Sequence, residues 1–136
     1  MRRAIQLASL GLGKAAPNPC VGSVIVYEDR IIGEGFHRLY GTAHAEVNAV
    51  NSVKAAERHL LSKSTIYVTL EPCHHYGKTP PCVDLILENK IPKVIIGCRD
   101  PNPKVGGKSI EKLKQNGVEV TVGILEKDCW EVAKRF

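Results

Sequence analysis

The sequence lacks several features that mark whole classes of protein. No apolar run approaches the roughly 18 residues that a membrane-spanning helix needs. The first 14 residues are interrupted by Gln6 and Ser9, so they do not match a secretory signal. Aromatic residues are few, with two Phe, four Tyr and one Trp, which leaves little material for a surface that stacks single-stranded bases. We therefore expect a cytoplasmic protein that binds neither a membrane nor a nucleic acid.

Basic residues are in excess, but they form no block. Nineteen Lys and Arg against fourteen Asp and Glu give a net charge of +5. This charge permits an anionic partner, such as a phosphorylated metabolite, without requiring one. The 136 residues, 43% of them hydrophobic, are typical of a single globular domain. We predict one domain over residues 1–136.

Cysteine occurs five times, an odd number that excludes complete intramolecular pairing. In the cytoplasm the thiols are expected to be reduced, so some of them can serve as metal ligands. Cys20, Cys98 and Cys129 lie in apolar or helical surroundings and are predicted to be small core residues.

The pattern of apolar residues predicts strands that alternate with helices. The first two strands form a hairpin around Glu28 and Asp29, and the later ones are separated by helices, which favours parallel pairing. The prediction is an α/β fold, with a mixed five-stranded sheet covered on both faces. The predicted helices span residues 2–12, 44–58, 81–90, 108–116 and 125–136, and the predicted strands span 21–27, 30–36, 65–70, 93–98 and 118–123.

Two segments carry residues suited to chemistry. His44 and Glu46 open a predicted helix, and Cys73 and Cys82 lie at the end of a strand and the start of the next helix. One imidazole and two thiolates suit zinc and leave a fourth position for water, as in catalytic sites. Cobalt and iron accept the same ligands, so the identity of the metal as zinc is inferred only from the softness of the ligands. The positive N-terminal end of the helix predicted over residues 81–90 is expected to favour the thiolate at Cys82.

Residues i and i+2 on a helix do not face each other, so His44 and Glu46 cannot meet a metal beside the helix. They can meet one that lies off its N-terminal end. Glu46 is then the candidate proton carrier between water and a leaving nitrogen. Zinc deaminases combine H-x-E with P-C-x-x-C; this sequence has H-A-E and E-P-C, but eight residues separate Cys73 from Cys82.

The longer spacing resembles the deaminase domain of the bifunctional riboflavin-biosynthesis family RibD, whose zinc site has the form E-P-C-x-H-x-G-x-T-P-P-C. The similarity runs essentially from end to end. The segments that carry it are PNPCVGSVIV (17–26), GEGFHRLYGTAHAEVNA (33–49), YVTLEPCHHYGKTPPC (67–82) and DPNPKVGGKSIEKLKQNGVEV (100–120).

The resemblance implies a three-layer α/β/α cytidine-deaminase-like fold. It implies hydrolytic removal of the 2-amino group of 2,5-diamino-6-ribosylamino-4(3H)-pyrimidinone 5′-phosphate, with release of ammonia. It also implies Zn²⁺ on His44, Cys73 and Cys82, and proton transfer by Glu46. The substrate-binding residues that it implies are Asn18, His37, His75, Lys78, Asp100 and Asn102.

The bifunctional relatives continue into a reductase domain, which is absent here, so a separate or fused reductase is an expected partner. Members of the family commonly form dimers or tetramers, and we expect a homo-oligomer. Two alternatives stay open at this point. The first is another deaminase, acting on cytidine, deoxycytidylate or tRNA adenosine, and the second is a non-catalytic binding module stabilised by zinc. The cysteine spacing argues against the first, and Glu46 against the second.

Overall fold

A mixed five-stranded sheet forms the centre of the molecule in the computed structural model, which describes residues 1–39, 42–73, 81–101 and 106–134. The strands are β1 (Gly22–Tyr27), β2 (Arg30–Phe36), β3 (Thr65–Leu70), β4 (Lys93–Cys98) and β5 (Glu119–Val122). Their order in the sheet is β2-β1-β3-β4-β5. β1 pairs antiparallel with β2 and β3, whereas β3, β4 and β5 run parallel. The predicted sheet is confirmed.

Within the described residues, five α-helices cover the sheet. They are α1 (Arg2–Ser9), α2 (Ala45–Ser52), α3 (Cys82–Glu88), α4 (Lys108–Gln115) and α5 (Glu126–Ala133). α1 and α5 pack against each other and on one face, and α2, α3 and α4 cover the other. The result is the three-layer arrangement that was expected. None of the helices in the described part of the chain has the length and apolar character needed to cross a membrane.

The main core lies between the sheet and the layer formed by α2, α3 and α4. The alternate residues of the central strands point into it, because successive side chains in a strand face opposite sides. Its fully buried members include Ile25, Ile66, Val68, Val94, Ile96, Val50, Val83, Ile86 and Leu113.

The hairpin between β1 and β2 turns at Glu28 and Asp29, as predicted. Both residues have positive φ, 44° and 62°. Positive φ at both central residues is the property of the type I′ turn, whose twist matches that of the flanking strands. The turn pairs Tyr27 with Arg30, and a bulge between Ile25 and Val26 then shifts the register by one residue, which places Gly33 opposite Ile25 and Gly35 opposite Ser23.

The helix predicted over residues 44–58 is shorter than expected. α2 ends at Ser52, Val53 is extended with ψ of 128°, and a 3₁₀ helix follows over Ala55–Lys63. Val53 turns into the core, and the guanidinium of Arg58 donates a hydrogen bond to the carbonyl of Val50, 3.0 Å away. The end of the helix is thus satisfied by a side chain from the next element, which the apolar periodicity alone could not indicate.

The remaining helices also differ from the predictions at their ends. α1 stops at Ser9, α5 covers Glu126–Ala133, and Pro81 is the N-cap of α3 and lies outside its first turn. Gly117 follows α4 with φ of 82°, the left-handed conformation expected of a glycine that ends a helix.

α2 lies unusually close to β2. A methyl group on Gly35 would come within 2.4 Å of the backbone nitrogen of Ala49 and 2.6 Å of the carbonyl of Ala45. Only glycine permits this approach of the two backbones. The contact fixes the first turn of α2, and with it His44 and Glu46, relative to the sheet.

Candidate active site

Three predicted ligands come together at the ends of three elements. His44 is the N-cap of α2, Cys82 is the first residue of α3, and Cys73 lies three residues beyond the end of β3. One donor atom from each lies within 4.8 Å of the other two. The three donor atoms therefore converge near the N-terminal ends of α2 and α3, where the predicted metal would lie.

The spacing of the donor atoms fits a tetrahedral zinc ion. The Nδ1 atom of His44 lies 3.7 Å from Sγ of Cys73 and 3.4 Å from Sγ of Cys82. Sulfur and nitrogen ligands at zinc's usual bond lengths, about 2.3 and 2.0 Å, lie about 3.5 Å apart when the geometry is tetrahedral. One nitrogen and two soft sulfur donors are also the ligand types that zinc prefers. The residues present fit the ion.

The two thiols differ in acidity. The backbone N–H of Cys82 donates a hydrogen bond to Sγ of Cys73 over 3.1 Å. A hydrogen bond from the Cys82 thiol, followed by the interaction with His44, lowers the pKa of Cys73, while the same bond and burial raise the pKa of Cys82. That the start of α3 favours the thiolate at Cys82 stays a prediction. The first amide of α3 points at the neighbouring sulfur.

Glu46 lies in the first turn of α2 and is buried, with 4% of its surface exposed. Its carboxyl group interacts with the Cys82 thiol and with the charges of Cys73 and His44. Burial, and after it the negative charge of Cys73, raise the pKa of Glu46 to about 7. A buried carboxyl beside the cluster is suited to exchanging a proton with a bound reactant.

Asn18 and His37 form a hydrogen-bonded pair, and the His37 ring lies beside that of His44, with 5.5 Å between the ring centroids. Nδ1 of His37 lies 3.1 Å from the carbonyl oxygen of Ala43, which can only accept, so Nδ1 carries the hydrogen. Burial lowers the pKa of His37, which favours the neutral ring. Its Nε2 atom therefore accepts from the side-chain amide of Asn18, 3.2 Å away. This bond orients the Asn18 amide and leaves its oxygen as an acceptor.

These groups surround a pocket of about 230 Å³. Its walls include Asn18, His37, His44, Glu46, Cys73 and Asp100, together with the apolar Val21 and Leu70. Of the predicted substrate-binding residues, Asn18, His37 and Asp100 thus line the pocket. His75, Lys78 and Asn102 lie outside the described residues.

Sequence reasoning gave no role to Glu71, which also lines the pocket. Glu71 is 6% exposed, and its carboxylate accepts hydrogen bonds from the loop after β4 and from the start of α4. A charged residue directly after an apolar strand, within the E-P-C motif, was the signal that could have identified it.

The other cysteines behave as predicted. Cys20, Cys98 and Cys129 are buried in apolar clusters, and none of the five cysteines forms a disulfide. Burial raises the pKa of Cys98 to about 12 and of Cys129 to about 11, so both are neutral core thiols.

Comparison with known families agrees with this geometry. Residues 1–98 match the family model described as the cytidine and deoxycytidylate deaminase zinc-binding region. The chain belongs to this zinc-binding deaminase family. The expectation of a bound zinc ion is thereby confirmed at the level of the family, and the His44, Cys73 and Cys82 cluster is suited to hold it.

Two curated relatives narrow the position of the chain within these deaminases. A diaminohydroxyphosphoribosylamino-pyrimidine deaminase of Buchnera aphidicola from Schizaphis graminum is 48% identical over all 136 residues, which cover 90% of that protein. The riboflavin biosynthesis protein RibD of Synechocystis is also 48% identical over the whole chain, but the chain covers only 36% of it. The resemblance to the RibD deaminase domain is confirmed.

A solved structure shows the same relationship. The Thermotoga maritima diaminohydroxyphosphoribosylaminopyrimidine deaminase/5-amino-6-(5-phosphoribosylamino)uracil reductase superposes with a TM-score of 0.91 at 50% identity. The match covers 98% of this chain and 38% of the Thermotoga chain. This deaminase thus spans a little over a third of the length of such bifunctional relatives, and it shares the predicted fold.

Proposed function

We propose that the protein removes the 2-amino group of 2,5-diamino-6-ribosylamino-4(3H)-pyrimidinone 5′-phosphate by hydrolysis and releases ammonia, as a step of riboflavin biosynthesis. The observation that carries the proposal is the pocket in which one imidazole, two thiols and a buried carboxylate converge. The identity of 48% to a deaminase named for this substrate, along the whole chain, supports the choice among pyrimidines.

The metal ligands in this proposal are His44, Cys73 and Cys82. A zinc ion held by them would supply Lewis acidity, which lowers the pKa of a bound water to about 7. The positioning of Cys73 by the amide of Cys82 supports this assignment, because it holds one sulfur in place at 3.1 Å.

Glu46 is the proposed proton carrier. It takes a proton from the attacking water and delivers it to the amino nitrogen that leaves, so that a carbon–oxygen bond replaces a carbon–nitrogen bond. Its burial and its contact with the Cys82 thiol support the role, since they place the carboxyl group at the wall of the pocket beside the metal ligands. General acid–base catalysis of this kind contributes about 10²- to 10⁴-fold to the rate.

Asn18, His37 and Asp100 bind the pyrimidine in the proposal. The Asn18 amide is oriented by His37, so its oxygen accepts from an N–H group of the substrate. His75, Lys78 and Asn102 complete the predicted set, with Lys78 as the point charge for the phosphate.

The wider context of the reaction is also proposed. Residues 1–136 act as one deaminase domain, and a reductase, fused or separate, consumes the product. The cytoplasmic location and the assembly into a homo-oligomer stay predictions.

Ammonia release tests the proposal. The zinc-loaded protein is incubated with the diaminopyrimidine ribotide, with its dephosphorylated form, with cytidine and with a tRNA anticodon stem. We expect ammonia from the ribotide and a weaker reaction without the phosphate. Turnover of cytidine or the tRNA stem alone would establish another deaminase, and no turnover of any substrate at full zinc loading would establish a binding module.

A further inference from the structure

Glu71 connects the segment of the proposed ligand Cys73 to the segment of Asp100. It follows β3 directly and stands two residues before Cys73. Its backbone N–H donates to the carbonyl of Cys98 at the end of β4, 2.9 Å away. The backbone of Glu71 is thus held where β3 and β4 end, and the buried side chain of Glu71 starts from a fixed position.

The carboxylate of Glu71 accepts hydrogen bonds from three separate groups. The backbone N–H of Asp100 lies 3.2 Å from Oε1, and that of Gly107 lies 2.9 Å from Oε2. The hydroxyl of Ser109 donates to Oε2 over 2.6 Å. Hydrogen bonds to an ionised acceptor are about twice as strong as neutral ones.

Through these three hydrogen bonds, Glu71 holds the segment that joins β4 to α4. Asp100 lies near the start of the segment that joins β4 to α4, and Gly107 is its last residue, so one carboxylate holds both parts. The bond from Ser109 fixes the carboxylate to the first turn of α4. Asp100 lines the same pocket as His44 and Cys73. The position of Asp100 therefore depends on a side chain that is attached to the cysteine segment.

We propose that Glu71 is a positioning residue that sets the place of Asp100 in the pocket and so acts on substrate binding. The inference rests on the proposed function, in which Asp100 binds the pyrimidine. Glu71 neither holds the metal nor transfers the proton. Its effect reaches the substrate through the backbone of Asp100.

The test is a set of variants of the full-length, zinc-loaded enzyme. Glu71→Gln keeps the size of the side chain, but replaces one acceptor oxygen with an NH₂ group. In one orientation of the amide this group faces the backbone N–H of Asp100, and in the other it faces that of Gly107, so one of these two N–H groups loses its nearest acceptor. We expect KM for the ribotide to rise about tenfold, the equivalent of one lost hydrogen bond. We also expect kcat to stay within about twofold and zinc content to be unchanged, because the proton carrier and the ligands are not touched. Ser109→Ala is the matched control, since it removes one donor and leaves Asp100 held; its KM stays near that of the wild type.

A double-mutant cycle separates positioning from a general loss of structure. In the Asp100→Ala background, Glu71→Gln should cause no further rise in KM, because the Asp100 side chain that Glu71 positions is no longer present. If Glu71→Gln does not fold, Glu71→Asp, which keeps the charge but is one methylene shorter, takes its place in the cycle.

Two results would overturn the inference: an unchanged KM in the Glu71 variants, or a rise in KM that adds fully to that of Asp100→Ala. Failure of the proposed function looks different, since the wild-type protein would then release no ammonia from the ribotide.

Discussion

The two sides of the pocket are built in different ways. His44, Glu46, Cys73 and Cys82, here called the cysteine wall, come from the starts of two helices and the end of a strand. Asn18, His37 and Asp100, here called the amide wall, come from connecting segments that follow or precede strands.

The cysteine wall is positioned by packing of backbone against backbone, as where α2 lies on Gly35. The amide wall is positioned by hydrogen bonds within and between connecting segments, among them those from Asn18 to His37 and from the backbone of Asp100 to Glu71. The difference indicates a division of labour. A change in the cysteine wall should remove the metal or the chemistry, whereas a change in the amide wall should weaken the binding of the substrate.

The largest effect is expected at the ligands themselves. Cys82→Ser replaces a soft sulfur with a hydroxyl group. Because loss of an outer partner of a zinc ligand already lowers metal affinity by about 10- to 100-fold, we expect a larger loss here. Zinc content, measured by metal analysis after dialysis, and ammonia release should both fall to background.

Cys129→Ser is the control for this change. It alters a buried core thiol outside the cluster, so its zinc content should equal that of the wild type. Full zinc occupancy in Cys82→Ser would show that Cys82 is not a zinc ligand and would contradict the proposed set of His44, Cys73 and Cys82.

A second prediction separates chemistry from metal binding within the cysteine wall. Glu46→Gln keeps the shape of the side chain but cannot take up a proton. We expect kcat to fall by about 10²- to 10⁴-fold, with zinc content and KM near the wild-type values. Glu57→Gln, on the surface 3₁₀ helix, is the matched control. Turnover at the wild-type rate in Glu46→Gln would assign the proton transfer to another group.

The smallest effect is expected in the amide wall. Asn18→Ala removes the amide that is oriented by His37, while His37 itself stays bonded to Ala43. Loss of one hydrogen bond should raise KM by about tenfold, with kcat and zinc content unchanged, as measured by steady-state ammonia release.

Asn116→Ala, on the exposed end of α4, provides the comparison for Asn18→Ala. A fall in kcat or zinc content in Asn18→Ala, without a change in KM, would contradict the division between the two walls.

Much of the fold could be predicted because its strands have short, apolar sequences bounded by clear turn residues. The segments 65–70 and 93–98 are strands with the predicted bounds. The H-A-E and E-P-C motifs indicated which side chains would meet, because the first turn of a helix and the end of a strand direct them to one point. Which roles those side chains have in the reaction stays a prediction.

Other features depend on contacts between distant residues, which no local pattern contains. The end of α2 at Ser52 depends on Arg58 and on the burial of Val53. The pKa values of the two thiols depend first on the hydrogen bond between Cys73 and Cys82, which lie nine residues apart. The role of Glu71 in holding the loop of Asp100 depends on donors 29 and 36 residues further along the chain.

The contact between Gly35 and the backbone of α2 has a consequence for how the sequence can vary. With no side chain between strand and helix, no neighbour can repack to accommodate a larger residue. Any Cβ at this position must move the helix itself, and the imidazole at its N-cap moves with it. An edge strand that touches no reactant thereby sets a limit on where the metal can be held.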